Sequence, residues 1–205
     1  RESSSGLVRS EVTRHWKKWC EKVCKHLFEG RNQDLNSQQW KQVYSCITGL
    51  NSWNDGSSLD GKAELAFRAE QFGDVISLLE SAGKSEDELV YKAHAATTGF
   101  PGNLEFLQNA ARVTGKGEDK LGYWREIQTE WKNNFSADSE SALIAAPVAA
   151  RAFVEVGDIA VAERIVEDYP LNDVGAVEHL IQAALRAVGE VGDLICALLR
   201  GLIKV

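Results

Sequence analysis

Arg151-Ala152-Phe153-Val154-Glu155-Val156-Gly157-Asp158 returns thirty-five positions later as Arg186-Ala187-Val188-Gly189-Glu190-Val191-Gly192-Asp193. Apolar residues at helical spacing follow each copy: Ile159, Ala162 and Ile165 after the first, Leu194, Ala197 and Leu198 after the second. A period of this length marks stacked helical hairpins, because one hairpin alone cannot bury its apolar face. In each copy the glycine is expected to supply the left-handed residue that ends one helix, and the aspartate to cap the next. The motif predicts helices over 142–155, 158–168, 174–188 and 193–204. Alanines 149, 152, 162, 184, 187 and 197 stand where helices approach closely.

Looser versions of the corner occur upstream at Phe72-Gly73-Asp74 and Pro101-Gly102-Asn103. Gly73 and Gly102 lie 29 residues apart, Gly102 and Gly157 lie 55 apart, and only the last step is 35, so the repeats are irregular. A long hairpin or insertion around 116–140 accounts for the wide step. Val12, Trp16, Trp19, Cys20, Val23 and Leu27 make an apolar stripe on a first helix ending near Gly30. A second helix is expected from Ser37, its cap, to Leu50. Residues 51–61 form the clearest loop, and Lys62–Arg68 opens a helix that Gly73 breaks before Asp74 caps another. Ser85 and Glu88 fit a capping box. Helices over 104–113 and 121–135 complete the middle, the second carrying Tyr123, Trp124, Trp131 and Phe135. No stretch alternates with a period of two, so no sheet is expected.

The chain reads as an all-α helical-hairpin solenoid. Residues 1–10 form a flexible N-terminal segment, and 11–205 form one helical repeat domain. That domain comprises a basic head (11–50), irregular hairpins (62–135) and the two clearest repeats (142–205).

Net charge is −7 over 205 residues, distributed as +4 in 1–50, −5 in 51–135 and −6 in 136–205. An acidic chain with a basic head is a poor wrapper of nucleic acid along its whole length. No stretch approaches the roughly 18 consecutive apolar residues of a membrane span. The chain contains no methionine and its last residues (Leu198, Leu199, Leu202, Ile203, Val205) lack a polar cap, which reads as a segment of a larger protein. Cys20, Cys24, Cys46 and Cys196 lack the spacing of a disulfide framework. Reduced thiols in core positions, and an intracellular, cytoplasmic setting with an organelle also open, are expected.

Unit length, the Gly-Asp corner and the small close-packing residues of 142–205 resemble tetratricopeptide and pentatricopeptide repeats. Leu180-Ile181-Gln182-Ala183-Ala184 before Gly192-Asp193-Leu194 is similar to the pentatricopeptide pattern. The tetratricopeptide Trp-Leu-Gly-Tyr series and a regular series of base-reading side chains are both missing. The first resemblance implies a scaffold that holds peptides or subunits. The second implies single-stranded RNA binding.

Chemistry-bearing residues are scattered. His15, Cys20, Cys24 and His26 point in different directions on a helix and make a poor zinc set. His94 and His179 stand alone among alanines and leucines, and no nucleophile elbow or phosphate loop occurs. No catalytic residue, metal or cofactor is therefore expected, and the protein reads as non-enzymatic. Three groups remain as candidate binding sites. Arg14, Lys17, Lys18, Lys22 and Lys25 form a basic patch beside the tryptophan stripe, read first as a solvated face. Trp124, Trp131 and Phe135 are read first as core, and second as an aromatic anchor for a partner. Leu198, Leu199, Leu202 and Ile203 form an apolar end suited to self-association through 194–205. The expected function is protein–protein interaction or complex assembly, with another protein or peptide as partner. Single-stranded RNA is the alternative.

Overall fold

In the computed structural model, the described residues are Arg14, 35–48, 59–115, 117–135, 140–169, 171, 173–186, 192, 194–196 and 198. Their regular structure is entirely α-helical. Contacts divide the chain into two compact units, Arg1–Ser85 and Glu86–Val205.

The first unit contains α1 (Ser37–Thr48), α2 (Leu59–Arg68) and α3 (Phe72–Ser81), each packed on the next. Asn36, not Ser37, caps α1. Its side chain accepts from the Gln39 N–H while the Gln39 side chain accepts from the Asn36 N–H, both at 3.0 Å, a reciprocal capping box. The core is Ala63, Leu65, Ala66, Ala69, Val75 and Leu79, with Trp40 beneath the Arg68 guanidinium 5.2 Å from its ring. The expected break at Gly73 is displaced: Gly73 lies inside α3. The corner sits at Glu70, with φ +56, where the Glu70 N–H reaches Phe67 O and the Gln71 N–H reaches Ala66 O. That pair is the glycine-type helix ending, here on a residue with a side chain. A second ending of the same kind falls at Gly83 (φ +75).

The second unit contains α4 (Glu88–Thr97), α5 (Gly102–Val113), α6 (Glu118–Asn134), α7 (Glu140–Val156), α8 (Ile159–Asp168) and α9 (Val174–Arg186). The capping box expected from Ser85 is replaced by Asp87, whose carboxylate accepts the Leu89 N–H at 2.9 Å. Each helix from α4 to α7 packs on its successor, and α7 also touches α5 and α9. Helix α7 therefore meets four others. Eight of its residues are buried: Ala142, Ala145, Ala146, Ala149, Ala150, Ala152, Phe153 and Val154. Alanine lets helix axes approach, and a helix apolar nearly all round belongs in the interior. Pro147, inside α7, has no N–H to give the Leu143 carbonyl, and it falls beside the solvent-facing positions Leu143 and Ile144.

The two copies of the repeated octapeptide end differently. Gly157 has φ +93, with its N–H on Val154 O and the Asp158 N–H on Phe153 O, so it ends α7 as expected. Asp158 then stands at the start of α8 without a side-chain capping bond. Gly192 is helical and outside the left-handed region, so the second copy makes no such corner there.

Candidate functional site

Helix α6 points Tyr123, Trp124, Ile127, Gln128 and Trp131 inward. Trp124 is 1% exposed and Trp131 is also enclosed, so neither is a surface anchor. Spacing of three and four residues puts them on the buried stripe. Phe135, just past the helix, is the exposed member. Its ring lies 4.8 Å from Trp131 and 5.9 Å from Tyr169, which itself meets Trp131 edge-on at 6.0 Å. These three rings tie the end of α6 to the end of α8. Leu198 is buried, as is Leu194, so neither contributes to an open apolar end. Leu199, Leu202, Ile203 and Val205 lie outside the described residues, as do Lys17, Lys18, Lys22, Lys25, His15, Cys20, Cys24 and His26 and the N-terminal segment 1–10. Arg14 is helical and exposed. Cys196 is a free, exposed thiol and not a core residue.

The repeat-equivalent arginines converge. Arg151 Nε lies 3.8 Å from Glu155 Oε1, and Arg186 of α9 reaches the same oxygen at 3.7 Å. The Arg151 guanidinium also stacks over Trp124, 5.3 Å from the ring centroid. Burial lowers the Arg151 pKa, with Arg186 adding to the effect and Glu155 opposing it. Trp124 Nε1 and Arg151 Nε are enclosed without hydrogen-bond acceptors. The cluster links α6, α7 and α9.

A second polar group spans α4, α5 and α6. The Tyr123 hydroxyl donates to Glu88, Lys92 Nζ sits 5.7 Å from the Tyr123 ring, and Asn103 donates to Glu130 at 2.9 Å. Burial, then the Glu88 bond and charge, push the Tyr123 phenol upward, so it stays protonated as a donor. Burial likewise raises Glu126, against the pull of Lys92. His94 stacks on Phe106 at 4.9 Å, and His179 is exposed on α9. Among the described residues no group of three or more His, Cys, Asp or Glu is placed to hold a metal ion, and no helix is long and apolar enough to cross a membrane.

The surface feature that sequence reasoning missed is aliphatic. Leu143 and Ile144 on α7, and Val174 and Leu185 on α9, are between 59% and 68% exposed. Hydrophobic periodicity alone did not mark these as exposed, because it sees one helix and not which flanks a neighbour covers. The available signal was position: Val174 and Leu185 fall off the stripe formed by Val177, Leu180, Ala183 and Ala184. Compared with family models, with curated proteins and with solved structures, the chain matches none.

Proposed function

We propose that the chain is a non-enzymatic scaffold for protein–protein interaction and complex assembly, built as an irregular array of tetratricopeptide-like helical hairpins. The observation that carries this reading is the set of four aliphatic side chains exposed on α7 and α9. Apolar side chains held in water by a rigid helix pair are surface ready to be buried by a partner. Contact of α7 with both α5 and α9, its next-but-one neighbours, supports the stacked-hairpin reading. A cytoplasmic setting suits the exposed Cys196 thiol.

Single-stranded RNA binding is the weaker reading. Residues 86–205 carry eleven Lys/Arg against nineteen Asp/Glu, a net −8 that opposes a phosphate backbone.

The test is affinity capture from extracts of the source cells with the wild-type chain and with Leu143→Asp/Ile144→Asp, whose melting is checked first. A stoichiometric protein partner kept by wild type and lost by the variant is expected. Retention of RNA and no protein, or equal retention by both chains, overturns the scaffold reading.

A further inference from the structure

We infer that the outer flank of α9 binds a cationic amphipathic helix. This inference rests on the scaffold reading and specifies one of its partners. At 100° per residue, Val174, Glu178, Ile181 and Leu185 fall within about 60° of one another, a ridge of about 17 Å along the helix. Val174 is 68% and Leu185 65% exposed, whereas Ile181 is partly buried and roots the ridge against the core. The stripe that α9 buries, Val177, Leu180, Ala183 and Ala184, lies about a third of a turn away, so the ridge is a separate face.

The charge of this face selects the occupant. Glu178 is exposed within the ridge, and Asp173 stands at its N-terminal end, accepting the Gly175 N–H at 2.8 Å. No Lys or Arg occurs from 173 to 185, and Arg186 turns instead to Glu155 on α7. An apolar ridge of three turns with an acidic centre is complementary to a helix that carries apolar residues at steps of three and four, flanked by Lys or Arg. A second copy of this chain is a poorer occupant, because a two-fold pairing of this ridge would bring the two Glu178 carboxylates within about one helical turn of each other. An anionic lipid surface is disfavoured by the same carboxylates.

The probe is a fluorescent Leu/Lys peptide of about 15 residues with leucines at helical spacing, titrated into the 1–205 chain by anisotropy. Its controls are a scrambled peptide of the same composition and one with every Lys replaced by Glu. Saturable binding of the helical cationic peptide alone is expected. Glu178→Lys and Leu185→Asp should each weaken it about tenfold, and added salt should weaken wild type more than Glu178→Lys. All substituted positions are exposed, and Val174→Asp repeats the test should either variant melt early. Equal binding of the scrambled peptide, or unchanged binding by the variants, overturns the inference. So does a wild-type dimer in sedimentation that Leu185→Asp dissociates, which would give the ridge to a second copy. If the extract experiment yields a partner dependent on Leu143 and Ile144 while the peptide is ignored, the scaffold reading stands and this inference alone falls.

Discussion

Six of eight residues are shared between the octapeptide that ends α7 and the one that starts at Arg186, yet the glycine near the end of each adopts a different backbone conformation. The first closes a helix enclosed by four others, and its glycine turns left-handed to start α8. The second follows α9, which buries one stripe and leaves an aliphatic ridge in water, and its glycine is helical. Phe153 and Val154, both buried, correspond to Val188 and Gly189, so the second copy brings far less apolar volume. A repeated sequence thus proposes a helical corner that Gly157 makes and Gly192 does not.

The contrast between enclosed α7 and open α9 is most easily broken in the core. Phe153→Ala should cost about 3–5 kcal/mol in chemical denaturation, whereas Leu185→Ala on α9 should stay within about 0.5 kcal/mol. Comparable losses would mean that α9 is as enclosed as α7. Overfilling gives the next largest effect. Ala146→Leu forces added volume into a position with no exposure, at about 1–3 kcal/mol. A neutral result there would place a cavity beside α7 that close packing forbids.

Much of the helical layout was legible from periodicity and turn chemistry. The helix expected over 142–155 is α7, and Gly157 announced its own left-handed ending. Asn36, Glu70 and Asp87 were not read, for a common reason. Several neighbouring polar residues could each have capped or ended the helix, and only the backbone angle chooses among them: Ser37 against Asn36, Gly73 against Glu70, Ser85 against Asp87. Trp124 and Trp131 were placed correctly by the plainer core reading, since their spacing already put them on one face. The exposure of Leu143 and Ile144 and the Arg151–Glu155–Arg186 cluster were invisible, because both depend on which helix lies beside which.

That cluster sharpens the comparison further. Arg151→Ala removes the stacked guanidinium over Trp124 and should cost about 1–2 kcal/mol, while Arg186→Ala, on the exposed side of the same glutamate, should cost no more than about 0.5 kcal/mol. Equal values in thermal melts would mean that the two repeat arginines share one environment. The glycines give the smallest expected effects and the cleanest difference in sign. Gly157→Ala meets open space but a forbidden φ, so it should lose about 1 kcal/mol. Gly192→Ala, in helical backbone with nothing near its Cβ, should gain up to about 0.5–1 kcal/mol.

Native-state hydrogen exchange compares the two helices directly in a single experiment. Amides of 145–154 on α7 should exchange only through global unfolding, the slowest in the second unit, while those of 174–186 on α9 should open at distinctly lower free energy, since one covered face leaves fewer contacts to break. Protection on α9 equal to or greater than that on α7 would contradict an enclosed α7 and an open α9.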